Sequence, residues 1–226
     1  MNDYLIFGAT GLTGKNLLQL VKEDGASYHL FVRNLLDSEK EHNQTIFNQY
    51  NIPELPNSKN LIMCLGYPLT FKELVHMDKQ TKESFKQVDL DLVTKIARMA
   101  IKKDISNIAV ISAVGSSINS SNFYLKIKSK MEKQILDLKF KKTIFAKPGH
   151  LLGPRDPSRV DQWVRIIEIL GRIYGIFLIG PLKKYKNIDA TKVASEILSV
   201  IKEDNPDSNY CLLYTSDAAD DTPCVE

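Results

Sequence analysis

The chain has 226 residues, of which 43% are hydrophobic and 25% charged, with a formal net charge of +3. That much apolar material supports a packed core and excludes a disordered chain. The mild positive balance falls well short of a basic stripe built for nucleic acid, so no nucleic-acid partner is expected.

The first strand pattern, Tyr4-Leu5-Ile6-Phe7, begins so early that no cleavable presequence is expected before it. Gly8-Ala9-Thr10-Gly11-Leu12-Thr13-Gly14 follows, then a run with helical spacing through Leu17, Leu18 and Val21. Strand, glycine-rich turn and helix in that order form the opening of a dinucleotide-binding βαβ unit. Helix N-termini present free N–H groups and the positive end of the dipole to a phosphate. Glycine lets the backbone approach a pyrophosphate closely. A Walker A loop does not fit, because five residues separate Gly8 from Gly14 and Asn16 stands where a magnesium-binding Ser or Thr is required.

Tyr28–Val32 reads as the second strand and ends at Arg33-Asn34. An acid at this point selects NAD, and a base accommodates the 2′-phosphate of NADP. No acid occurs before Asp37, so Arg33 points to NADP(H). The polar stretch 34–60 predicts loop with one short strand near Thr45–Asn48. Leu61–Leu65 is a further strand, ending at Gly66, and Cys64 within it reads as a small core residue. Phe85, Val88, Leu92, Ile96 and Met99 recur three or four apart and predict one long helix. Asn107–Ile111 is a strand ending at Ser112, a helix runs from about Asn122 to Leu138, and Thr143–Ala146 is a strand closed by Pro148-Gly149.

Continuous apolar strands alternating with helices predict an α/β, doubly wound parallel sheet of Rossmann type. A small helical lobe that contacts substrate is expected from about residue 154. Its most apolar stretch, Ile173–Leu182, is too short to span a bilayer, which leaves peripheral membrane contact open. Ligands in such folds lie beyond the C-terminal strand ends, which here carry Gly8, Arg33, Gly66, Ser112 and Pro148. The expected cofactor contacts are Gly8, Thr10, Gly11, Leu12, Thr13, Gly14, Arg33, Asn34, Leu65, Gly66, Lys128 and Pro148. No metal site is read.

Residues 211–226 stand apart. Cys211 to Asp220 resembles an in-frame translation of a sequencing-library adapter, so a domain of residues 1–210 followed by a non-native tail is expected, the tail contributing nothing to the fold. The tail holds Asp217, Asp220, Asp221 and Glu226 and no base, so residues 1–210 alone carry +7.

Tyr124-Leu-Lys-Ile-Lys128 places a tyrosine and a lysine one helical turn apart, twelve residues past Ser112. A lysine beside a phenol favours phenolate, so a lowered Tyr124 pKa and a role as proton donor are expected. A serine at the adjacent strand end can bond the same substrate oxygen.

With these residues in order, the chain resembles the short-chain dehydrogenase/reductase superfamily. The likeness is strongest to its atypical branch of the Tat-interacting oxidoreductase type, which includes a fungal mitochondrial protein. The residues that carry it are Gly8–Gly14, Ser121–Lys128, Lys147–Gly153 and Ile188–Ala194, within a likeness over nearly all of residues 1–210. The resemblance implies a catalytic set of Ser112, Tyr124 and Lys128 acting with NADP(H) on a small carbonyl or alcohol. It also implies a peripheral place on the cytosolic face of the mitochondrial outer membrane, the cytoplasm being the alternative. Relatives carry Ser-Ser where this chain has Ser112-Ala113, and Arg where it has Lys147. An NADPH-binding regulatory or scaffold protein without turnover therefore remains the second reading.

Overall fold

The computed structural model describes residues 1–149, 151–152, 188–205, 208–215 and 218–223. The chain enters at β1 (Asn2–Phe7), turns through the glycines into α1 (Leu12–Glu23), and returns as β2 (Tyr28–Val32). A 3₁₀ turn at Glu41–Asn43 leads to β3 (Gln44–Ile46), and β4 (Ser58–Met63) follows. Next come α2 (Phe71–Val75), α3 (Lys79–Lys86), a π-helical segment (Gln87–Leu92) and α4 (Val93–Ile101). Then come β5 (Asn107–Ile111), α5 (Phe123–Leu136), β6 (Lys142–Lys147), β7 (Leu151–Leu152), β8 (Ile188–Asp189) and α5's later counterpart α6 (Ala190–Lys202). Strands β9 (Ser208–Thr215) and β10 (Ala218–Pro223) complete the described chain.

Eight strands form one sheet in the order β10-β9-β6-β5-β4-β1-β2-β3. Pairing is parallel throughout, except that β10 runs antiparallel to β9. A separate two-stranded sheet joins β7 to β8. The chain steps from β1 outward to β3, then returns to β4 on the other side of β1. The switch point, where ligands bind in such sheets, therefore lies between β1 and β4.

Burial explains why these runs become strands. Leu5, Ile6, Phe7, Leu61 and Met63 are all buried, with side chains alternating between the two faces. One face packs on Phe85, Val93, Ile96, Ala97, Ile127, Met131 and Ile135, from α3, α4 and α5. The other packs on Leu17, Val21, Val193, Ala194 and Ile197, from α1 and α6. Each fully buried side chain of this size contributes about 1.5–3 kcal/mol, so two covered faces hold the central strands in place. Phe7 and Phe31 stack with ring centroids 4.3 Å apart, and Phe47 meets Phe7 edge-on. The doubly wound Rossmann-type sheet expected from the sequence is the fold observed.

Three details differ. The short strand expected near Thr45–Asn48 lies at Gln44–Ile46. The long helix expected through Phe85 and Met99 is interrupted by the π segment, which buries Asp89 and leaves Val88 only half-buried. The tail was expected to lie outside the fold, yet β9 runs into it. Cys211 and Leu212 are buried and pair with Phe145 and Ala146 of β6. The expected lobe from about residue 154, including Ile173–Leu182, lies outside the described residues apart from β8 and α6. Among the described residues, no helix is long and apolar enough to cross a membrane.

Candidate active site at the switch point

The glycine turn is shaped by close backbone approach. Gly8 has φ +80°, and a Cβ there would sit 2.5 Å from the Cys64 carbonyl oxygen. A Cβ on Gly14 would sit 2.1 Å from the carbonyl oxygen of Gly8. Neither position tolerates a side chain without moving backbone, so β1, α1 and the end of β4 are locked together. Gly11 caps α1 with no side-chain hydrogen bond, and the first turn of α1 has no acid. Its N–H groups are left to an anion, and the dipole favours one. Thr13 and Gly14 are buried, Thr10 is exposed, and Gly11 and Leu12 are half-buried at the mouth of the turn. The residues present fit a dinucleotide pyrophosphate.

Arg33 and Asn34 follow β2 directly and are exposed at the same edge of the sheet. Leu65 and Gly66 follow β4, and Pro148 follows β6, where its carbonyl accepts from Val114 N at 3.2 Å. All the expected cofactor residues thus lie at or next to the C-terminal strand ends, except Lys128, which reaches that edge from α5.

Asn122 caps α5 by accepting from Leu125 N at 3.3 Å, which sets the start of the Tyr124–Lys128 turn. Lys128 Nζ donates to the Ile111 carbonyl at 3.1 Å and to Asp89 Oδ1 at 2.7 Å. The other oxygen of Asp89 accepts from Tyr67 N at 2.7 Å. The segment Cys64–Tyr67 therefore touches the glycine turn at one end and the lysine cluster at the other. The Tyr124 ring packs on Phe85 at 5.3 Å between centroids.

The electrostatics differ from expectation. Burial disfavours phenolate and Asp89 adds to this, so the Tyr124 pKa is raised although Lys128 opposes the shift. Burial also disfavours charge on Lys128, yet Asp89, Tyr124 and Glu132 together outweigh it and raise its pKa. The expected lowering of Tyr124 fails because burial outweighs the pull of the Lys128 ammonium, with Asp89 adding a smaller push in the same direction as burial. A raised lysine pKa gives stabilisation that is constant through neutral pH. It is lost only as pH rises through that raised value, above the ordinary lysine range.

Ser112 is buried, and its hydroxyl donates to Glu132 Oε1. Ser116 donates to the same oxygen at 2.8 Å, and Lys147 pairs with Glu132 Oε2 at 2.9 Å. The serine proton is thereby committed to a carboxylate, so Ser112 sits beside the site without presenting a donor to it. Sequence reasoning missed Asp89, Glu132 and Ser116. Glu132 had a signal, since it continues the stripe of Tyr124 and Lys128 by one more turn. Asp89 had none, because only the π segment turns it inward.

No family model matches the chain. Among curated relatives, the mitochondrial protein FMP52 of Debaryomyces hansenii is 31% identical over 159 residues, covering 68% of this chain and 69% of the relative. FMP52-2 of Scheffersomyces stipitis is 30% identical over 179 residues, covering 76% of each. The chain belongs to the FMP52 family. These relatives are named as mitochondrial proteins. Among solved structures, MoeE5 with UDP-glucose and NAD superposes with a TM-score of 0.70 at 12% identity, over 97% of this chain and 78% of that one. Human SDR39U1 with NADPH gives a TM-score of 0.67 at 14% identity, over 96% and 76%. At such identities the likeness is one of fold, and the fold is that of the short-chain dehydrogenase/reductase proteins.

Proposed function

We propose that this FMP52-family protein binds NADP(H) at the Gly8–Gly14 turn and reduces a small carbonyl, with Tyr124 as proton donor. The observation that carries the reading is the Cys64–Tyr67 segment, which adjoins both the glycine turn and the Asp89–Lys128 pair. One edge of the sheet therefore holds an anion-binding helix start and, from α5, a half-buried Tyr124 one turn from the buried Lys128. In such a site the cofactor supplies hydride when bound. The chain's own part is to seat the pyrophosphate on the N–H groups of α1, with Leu65, Gly66 and Pro148 flanking it at the strand ends. Lys128 holds a ribose, and Tyr124 gives its proton to the substrate oxygen. Ser112, bonded to Glu132, orients the strand end and contacts the substrate only if that bond opens.

Arg33, with Asn34 beside it, is proposed to select the 2′-phosphate. A charge-assisted hydrogen bond contributes about 1.5–3 kcal/mol, or about ten- to hundredfold in affinity. Fluorescence titration should give tighter binding of NADPH than NADH, with the difference lost in Arg33→Ala. Equal affinities in the parent would refute the assignment.

The second reading, NADPH binding that regulates partner affinity without turnover, draws support from two observations. The Ser112 proton is committed to Glu132, and the Lys128 charge is balanced by Asp89.

For placement, we propose a peripheral position on the cytosolic face of the mitochondrial outer membrane. The mitochondrial names of the relatives and the excess positive charge of residues 1–210 support it. On isolated mitochondria the protein should be released by carbonate and digested by added protease. A protected matrix pool would rule the placement out.

A further inference from the structure

Asp89 is the acid that faces Lys128. The two side chains are 2% and 5% exposed and lie 2.7 Å apart, and Asp89 also holds the Tyr67 amide. The π segment makes this possible, because the wider turn brings Asp89 inward between α5 and the loop after β4. Among the described residues, the charged and titratable groups that act on Lys128 come from two elements. Asp89 comes from the π segment, and Tyr124 and Glu132 come from α5. Glu132 is itself held by Lys147 and two serines. Among the described residues, Lys128 also donates to the Ile111 carbonyl, which is neutral. Asp89 is thus the carboxylate that directly balances the ammonium.

We propose that Asp89 is a positioning residue of this site: it holds Lys128 against the Tyr67 loop and offsets part of the lysine's charge toward Tyr124. The inference rests on reading Tyr124 as the proton donor, and it adds a control element to that site. Burial makes Tyr124 hold its proton, and a charged Asp89 adds to this by offsetting part of the ammonium's pull. Neutralising Asp89 leaves the ammonium acting alone on the phenol, and the phenol then releases its proton more readily. Because the groups are coupled, the change belongs to the cluster and is read as a difference between variants.

The test is an ultraviolet titration of phenol ionisation in the full chain, with Tyr124→Phe in each background subtracted to isolate Tyr124. Asp89→Asn preserves the acceptor for Tyr67 N and removes only the charge. It should lower the proton affinity of Tyr124 about tenfold or more. Lys128→Met should raise it, and the Asp89→Asn/Lys128→Met pair should return it near the parent. If Asp89→Asn alone does not fold, the neutral pair carries the test, since neutral buried pairs are commonly tolerated. An Asp89→Asn phenol that titrates like the parent, or a neutral pair displaced tenfold from the parent, would overturn the proposal. The readout needs no substrate. A failure of turnover would therefore count against the reductase reading, and a failed titration against Asp89.

Discussion

Replacing Glu132 by alanine should cost about 3–5 kcal/mol of stability, the range for removing one partner of a buried ion pair. Glu132 joins three elements from its place on α5. Through Oε1 it takes the hydroxyls of Ser112 and Ser116, and through Oε2 it pairs with Lys147 at the end of β6. Its side chain is 11% exposed and that of Lys147 14%, so water cannot replace the lost carboxylate. Alanine leaves an ammonium and two hydroxyls short of a partner at once. For a chain of this size the loss is a fall of about 6–20 °C in thermal midpoint. Glu132→Leu combined with Lys147→Met should recover much of it, because no unbalanced charge stays buried. Calorimetry on the three proteins checks both statements. A Glu132→Ala midpoint within about 2 °C of the parent, roughly 1 kcal/mol or less, would mean that the cluster does not hold the strand ends together.

The legible parts of this molecule are those governed by local rules. Gly8, Gly11 and Gly14 announce a turn because their spacing leaves no room for side chains, and the structure has backbone where each Cβ of Gly8 and Gly14 would go. Strands such as Tyr28–Val32 and Asn107–Ile111 are continuous apolar runs, which a sheet covered on both faces requires. The Tyr124–Lys128 pair follows from one helical turn. What could not be read depends on register and on distant partners. Periodicity placed Val88 on the buried face, but one π segment shifts the register and buries Asp89 instead. The Ser112 hydroxyl meets a carboxylate twenty residues away, and no spacing rule connects β5 to the third turn of α5. The adapter-like motif around Leu212 says nothing of its pairing, and the structure places it beside Ala146 of β6.

Tyr124→Phe should leave the fold and NADPH affinity intact and lower carbonyl reduction by about 10²- to 10⁴-fold, the usual worth of general acid catalysis. The substitution keeps the ring that packs on Phe85 and removes only the hydroxyl. The raised phenol pKa bears on the direction of the effect. A phenol that keeps its proton through neutral pH is ready to donate in reduction, and it is a poor base for alcohol oxidation until the pH approaches its raised value. Reduction by the parent should therefore be flat through neutral pH and fall in alkali. Lys128→Ala should weaken both cofactor binding and turnover. It also leaves Asp89 buried without its cation, so its thermal midpoint should fall as well.

The most direct measurement is a single-turnover assay. Excess protein is mixed with NADPH and a panel of aldehydes, ketones and quinones, and cofactor absorbance is followed for the parent and Tyr124→Phe side by side. The account predicts that the parent consumes NADPH with at least one carbonyl, while Tyr124→Phe binds NADPH equally well and fails to consume it. Equal consumption by both proteins would contradict the assignment of Tyr124. Tight NADPH binding with no consumption by either, across the whole panel, would contradict the reductase and leave the cofactor as a regulatory ligand.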